Sequence, residues 1–145
     1  ILKFRSMRAE TCDADGKQST QRDDDRITRV GAFIRRTSID ELPQLFNVLR
    51  GDMSLVGPRP HATMMRVGDK YYFDAVRGYT ARHRVKPGIT GLAQIRGLRG
   101  EIATTDRARK RVEYDIYYIE NWSPLLDLRI MIETLFKLVW DKNAY

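Results

Sequence analysis

Ile27, Val30, Phe33 and Ile34 recur three and four residues apart, with Arg29, Arg35 and Arg36 off that stripe, and the spacing predicts a short amphipathic helix. Leu42, Leu45, Phe46 and Leu49 repeat the pattern, and Gly51 closes it. Thr37-Ser38-Ile39-Asp40-Glu41 is then the turn between two helices. Residues 53–60 (MSLVGPRP) are apolar until Gly57, Pro58 and Pro60 break the run, which predicts a strand ending in a rigid loop. Residues 85–100 are rich in glycine and read as loop, with a short extended stretch at 92–95. Val112, Ile116 and Ile119 mark another helix. Ser123-Pro124 is a cap followed by a proline at a first helical position, and it opens a strongly apolar helix over 125–140.

These elements predict an α+β fold: one helix-dominated domain with a few short strands and long glycine- and proline-rich loops. At 145 residues with 42% hydrophobic and 31% charged side chains, the chain can bury one core and is neither disordered nor membrane-embedded by composition. The longest charge-free stretch, 87–95, is nine residues, far short of the roughly 20 that a spanning helix needs. Residues 13–25 are almost wholly polar and read as an exposed loop. The lone Cys12 excludes an internal disulfide and reads as a surface thiol, while His61 and His83 share no zinc spacing. The chain opens on Ile1 and runs straight into Lys3-Phe4-Arg5, which reads as part of a longer protein.

Charge changes the picture. The net +7 is concentrated in residues 26–100, which carry +9, while both flanks are slightly acidic. Such a field favours a polyanionic partner: a nucleic acid, an anionic lipid surface or a phosphorylated small molecule.

Within that basic stretch stands Asp40-Glu41, followed by Leu42-Pro43. Pro43 is tolerated only in a first helical turn, so it argues that Asp40 is the N-cap of the second helix. Ser38-x-x-Glu41 also fits a capping box, and capping accounts for the two acids as well as chemistry does. A carboxylate beside arginines stays ionised, as a nucleophile or metal ligand requires. The local pattern leaves both readings open. In Gly57-Pro58-Arg59-Pro60 two prolines stiffen the backbone around one arginine, suited to phosphate oxygens or to an ordinary turn. Lys86, Arg96 and Arg99 sit in the glycine-rich stretch, which is neither a Walker A loop nor GxGxxG. No serine or cysteine lies in a nucleophile elbow. Tyr71-Tyr72 and Tyr117-Tyr118 read as packing residues. Asp127, Arg129, Glu133 and Lys137 form one stripe, so the last helix reads as an amphipathic core helix.

Taken in order, Lys3-Phe4-Arg5-Ser6-Met7, Arg36 to Leu49 (RTSIDELPQLFNVL), Gly51 to Pro60 (GDMSLVGPRP), Arg82-His83 with Val85 to Gly91 (VKPGITG), and Tyr114 to Ser123 (YDIYYIENWS) resemble the bacterial sugar transferases. These are the polyprenyl-phosphate hexose-1-phosphate transferases, or monotopic phosphoglycosyl transferases. The resemblance covers nearly the whole chain. It implies transfer of a hexose 1-phosphate from a UDP-sugar to undecaprenyl phosphate, initiating exopolysaccharide, capsule or O-antigen synthesis. It places Asp40 as the nucleophile that attacks the β-phosphorus, releases UMP and holds the sugar phosphate covalently. Glu41 is then the Mg²⁺ ligand, with Asp115 as a second carboxylate at the metal, set against its reading as a surface partner of Arg111. Lys3, Arg59 and one of Arg96 or Arg99 become phosphate-binding groups. The resemblance further implies an upstream membrane anchor outside this chain, so that residues 1–145 are the catalytic domain, soluble by itself, with the lipid acceptor entering at the side the anchor occupies. It implies location at the cytoplasmic face of the bacterial inner membrane, an anionic membrane surface as partner, no nucleic acid, and room for a homo-oligomer. The competing expectation from charge alone is a non-enzymatic basic module that binds or assembles on anionic lipid or nucleic acid.

Overall fold

Two small apolar clusters, rather than one large core, hold the chain together, and the long helix α5 (Thr105–Glu120) contributes to both. The computed structural model describes residues 1–11, 24–62, 64–100 and 104–140. Cys12 and the expected polar loop as far as residue 23 lie outside the described residues.

The helices arise where periodicity and caps coincide. Helix α1 (Arg29–Arg36) is capped by Thr28, whose hydroxyl accepts from the Gly31 N–H at 2.9 Å. Helix α5 is capped in the same way by Thr104, whose hydroxyl accepts from Arg107. Helix α6 (Pro124–Trp140) begins at the expected proline, with the Ser123 hydroxyl accepting from the Leu126 N–H. Helix α2 is shorter than its apolar stripe, running Gln44–Leu49 with Pro43 as its N-cap.

Strands are few. β1 (Ser54–Val56) pairs in parallel with β4 (Gly88–Thr90), Ser54 opposite Gly88 and Val56 opposite Thr90. A two-residue hairpin joins β2 (Arg66–Val67) to β3 (Lys70–Tyr71), and the chain turns at once into α3 (Tyr72–Ala75). A Cβ on Gly88 would overlap the Gly57 backbone, so the β1–β4 crossing requires glycine there. The expectation of an extended stretch at 92–95 is corrected: Leu92–Ile95 is a single helical turn, α4, whose amides at Gln94 and Ile95 both bond to the Gly91 carbonyl. Leu92, Ala93 and Ile95 are all buried, so no alternation of polar and apolar positions marks the turn.

One cluster gathers Val67, Tyr72, Val76, Tyr79, Ala108 and Val112 under α3 and the first half of α5. The other gathers Val56, Leu92, Ile95, Tyr118 and Ile130 between β1, α4, α5 and α6. Tyr72 and Tyr118 are thus packing residues, while Tyr117 is exposed.

Two helices depart from their expected orientation. α6 is not a core helix: Ile130 is its fully buried residue, and Leu128, Ile132, Leu135, Phe136 and Leu138 are exposed. In α2 polarity is inverted. Gln44 and Asn47 are buried, whereas Leu45, Phe46 and Leu49 are exposed, Leu49 by 83%. Periodicity located the apolar face of this helix, but that face points away from the core.

Candidate active site

Asp40 and Glu41 lie in a 3-10 turn, Ile39–Glu41, wedged between α1 and α2. Asp40 is therefore not the N-cap of α2, which corrects the expectation drawn from Pro43. The turn starts from Ser38 with φ 59°, a left-handed conformation that is uncommon for a residue other than glycine. Ser38 forms no capping-box bond through its side chain; its hydroxyl accepts from the Arg99 guanidinium at 2.5 Å.

Side chains of successive 3-10 residues diverge by roughly 120°. A single cation nevertheless spans the two acids. Lys3 Nζ lies 2.9 Å from Asp40 Oδ2 and 3.7 Å from Glu41 Oε1, the longer glutamate side chain making up for the divergence. Asp40 is 2% exposed, and Glu41 is also buried. The Arg59 guanidinium grips Glu41 with both Nη atoms, Nη1 donating to Oε2 at 3.2 Å and Nη2 to Oε1. Burial by itself raises the Glu41 pKa, but Arg59, by charge and hydrogen bonds, and then Lys3 and Arg99 hold the carboxyl below its ordinary value.

Lys3 arrives by main-chain pairing. The Phe4 N–H donates to the Asp40 carbonyl at 3.0 Å, and the Leu2 N–H donates to Asn47 Oδ1 at 2.8 Å. Further along, Met7 bridges to Ile27, and the Ser6 carbonyl accepts from Thr28. This path crosses α1 at Gly31, where any Cβ would overlap the Ser6 carbonyl. Gly31→Ala is expected to push the segment away, separate Lys3 from Asp40 and lower any Lys3-dependent activity by about 100-fold, the scale of a 1 Å misplacement. A turnover assay checks this, and an unchanged rate would show that the segment does not position the site.

Arg59 is placed from behind by Arg82, which lies in a longer 3-10 segment, Tyr79–Arg84. Arg82, itself 3% exposed, donates through Nη2 to the Arg59 carbonyl at 2.6 Å. Its Nε and Nη2 lie 3.0 and 2.8 Å from Asp115 Oδ2 on α5, and its Nη1 meets His61 Nδ1. His61 Nε2 faces Arg111 Nη1 at 3.1 Å, and Arg111 also donates to the Leu98 and Gly100 carbonyls. Burial, followed by Arg82 and Arg111, drives the His61 pKa well below its usual value, so the imidazole is neutral. The Asp115 carboxyl is pushed up to about 6 by burial, against the pull of Arg82 and then Arg111.

The structure therefore brings together Lys3, Asp40, Glu41, Arg59 and Arg99 and leaves two sequence candidates elsewhere. Arg96 faces another cleft, lined by Tyr114, Tyr117 and Arg129. Gly97, at φ +79°, turns the backbone between Arg96 and Arg99, which sends the two side chains to different places. Asp115 is a buried partner of Arg82 rather than a surface partner of Arg111, and it does not join Asp40 and Glu41: no cluster of three or more His, Cys, Asp or Glu residues suited to a metal exists among the described residues. Asp40 and Glu41 are the adjacent carboxylates that would supply oxygen donors to a Mg²⁺ ion, the rest of its shell coming from phosphates and water as is usual for that ion; in the structure they face Lys3 and, for Glu41, Arg59. The sequence reading missed Arg82 as the organiser of the Arg59 loop, and Ser38 as the contact of Arg99.

A family model described as bacterial sugar transferase matches residues 1–141. The chain belongs to the bacterial sugar transferase family. It is 53% identical over 145 residues to an undecaprenyl-phosphate glucose phosphotransferase of Komagataeibacter xylinus, covering 100% of this chain and 27% of that protein. It is 52% identical over 145 residues to a UDP-glucose:undecaprenyl-phosphate glucose-1-phosphate transferase of Klebsiella pneumoniae, covering 100% of this chain and 30% of that protein. Identity to the exopolysaccharide production protein PSS of Rhizobium leguminosarum bv. phaseoli is 52% over 135 residues, covering 93% of this chain and 68% of that protein. The chain thus spans less than a third of the length of the first two relatives and about two thirds of the third.

Proposed function

We propose that this chain carries the catalytic site for transfer of hexose 1-phosphate, glucose 1-phosphate foremost, from a UDP-sugar to undecaprenyl phosphate, with the phosphosugar held on Asp40 between two half-reactions. The observation that carries this reading is the buried Asp40–Glu41 pair enclosed by Lys3, Arg59 and Arg99. The names of relatives at about half identity support the substrate classes.

In the first step an Asp40 carboxylate oxygen bonds to the β-phosphorus of the donor. The bond from that phosphorus to the bridging oxygen breaks, and its electron pair leaves on UMP. In the second step an oxygen of undecaprenyl phosphate attacks the same phosphorus, and the Asp40–phosphorus bond breaks to return the carboxylate. Dividing the transfer lets one small site serve a water-soluble and a lipid substrate in turn. Lys3 bridges the two carboxylates before substrate arrives and is placed to move onto phosphoryl oxygens as they enter. Arg59 grips both carboxylate oxygens of Glu41 with its two Nη atoms, and on this reading it turns part of that planar fork onto phosphate oxygens as the donor enters. A Mg²⁺ ion, if bound, would be held by Glu41 and would supply charge neutralisation for the donor phosphates.

The inverted polarity of α2 belongs to the same reading. Leu45, Phe46 and Leu49 are exposed on α2 beside the site and form an apolar face suited to a membrane interface, on the cytoplasmic side of the inner membrane where the lipid acceptor is taken to reside.

The test uses protein reconstituted in lipid nanodiscs, incubated with UDP-glucose and Mg²⁺ but no acceptor. Peptide mass spectrometry is expected to find one hexose phosphate on the peptide containing Asp40. Absence of that adduct, together with absence of UMP release when undecaprenyl phosphate is added, would overturn the reading.

A further inference from the structure

We infer that the cleft between α2, β4 and α6 seats the first isoprene units of the lipid acceptor, with Arg99 at its polar end receiving the acceptor phosphate. The inference rests on the transferase reading above and adds to it a location for the acceptor.

The cleft has a volume of about 150 Å³. Leu42 and Leu45 wall it on the α2 side, Ile89 on β4 and Leu138 on α6. Its threonine hydroxyls are already committed: Thr90 and Thr134 bond to each other at 2.6 Å, and Thr134 also donates to the Ile130 carbonyl. Besides Ser38, Glu41 and Arg99, the lining offers one unpartnered buried acceptor, Gln94 Oε1, too little to replace the water that several sugar hydroxyls would lose, so burying them there is unfavourable. Hydrocarbon carries no such cost.

Polar capacity is concentrated at one corner, where Glu41 and Arg99 line the same cleft. Arg99 is tied to Ser38 through Nη2, while its buried Nε has no hydrogen-bond partner. An anion entering there meets a guanidinium with a donor to spare, next to the turn that carries Asp40. The opposite side runs out through Leu42, Leu45 and Leu138, which are 53%, 44% and 41% exposed, onto the apolar face already described. Hydrocarbon walls, a cationic corner beside the nucleophile and an exit onto an apolar surface together match a molecule with an anionic head and a branched hydrocarbon chain. A sugar nucleotide and a protein helix each match only part of this.

The experiment measures Michaelis constants for donor and acceptor in detergent, with a ten-carbon prenyl phosphate as acceptor so that docking on a bilayer does not enter. Leu45→Ser and Leu138→Ser are compared with wild type and with Leu125→Ser, on an exposed α6 position outside the cleft. Each cleft variant is expected to raise the acceptor KM by about tenfold, the lower end of what small changes in an apolar pocket produce. Donor KM should stay within about twofold, and Leu125→Ser should match wild type. An unchanged acceptor KM in both cleft variants would overturn the inference. So would a rise in donor KM equal to that for acceptor, which would assign the cleft to the sugar. If wild-type protein forms the Asp40 adduct but these outcomes hold, only the location of the acceptor fails. If it forms neither adduct nor UMP, the transferase reading fails first.

Discussion

Asp40→Asn is expected to lower transfer by on the order of 10⁴-fold or more, the scale seen when a covalent nucleophile is removed. The substitution keeps the shape of a side chain that is 2% exposed, so the 3-10 turn and its hydrogen bonds to Phe4 and Ser38 have no reason to change. What disappears is the carboxylate that would bond to phosphorus; the carboxamide oxygen left in its place is a far poorer nucleophile. Lys3 loses its 2.9 Å partner but retains Glu41, and Arg59 keeps its grip on that residue. Donor affinity should therefore survive within a few-fold while adduct and UMP vanish together. Titration of the variant with UDP-glucose by calorimetry, alongside the UMP assay, separates the two quantities. A variant that keeps a tenth of wild-type turnover would remove Asp40 from the covalent role.

Arg82→Gln is expected to cost about 3–5 kcal/mol of stability at pH 8, because one member of a buried ion pair is removed and the other remains. Arg82 ties together α5 through Asp115, the Pro58–His61 backbone through the Arg59 carbonyl, and His61 itself. The pH dependence has a definite sign. Asp115 has its pKa raised from 3.8 to about 6, so its contribution to stability is complete below about pH 4 and is lost as pH rises through 6. Taking away Arg82 removes the main influence that lowers this pKa, which rises further and extends the loss above pH 6. The variant should therefore lie close to wild type in this respect at pH 5.5 and fall well behind at pH 8. Thermal melts at the two pH values give the comparison, and an equal deficit at both would show that Asp115 does not titrate in response to Arg82. Turnover should fall as well, since the Arg59 carbonyl loses its anchor.

Arg82 also marks where reading the sequence stops. Helices α1 and α6 and the β1 strand were legible because each depends on neighbours in sequence: a stripe, a cap, a proline. Asp115 lies 33 residues from Arg82, and no local pattern distinguishes that arginine from the many others in the basic stretch. Arg96 and Arg99 could not be told apart for a similar reason, because the left-handed Gly97 between them decides which one reaches Ser38. Asp40 and Glu41 stood out early, yet their setting was misjudged: Pro43 does open a helix, but the acids occupy the separate turn before it. The 92–95 turn reads as extended from sequence because Leu92, Ala93 and Ile95 are all buried, which leaves no helical periodicity. The extended assembly of motifs, rather than any one segment, pointed to the family that the comparison then established.

The outward leucines of α2 carry a warning for protein engineering. By the usual rules of surface design, Leu45, Phe46 and Leu49 are faults to be replaced by lysine or glutamate for solubility. Such a redesign would give a better-behaved protein in aqueous buffer and a higher yield from purification. On the reading developed above it would also erase the route by which a water-insoluble substrate arrives, so a screen that rewards soluble expression alone would select against catalysis.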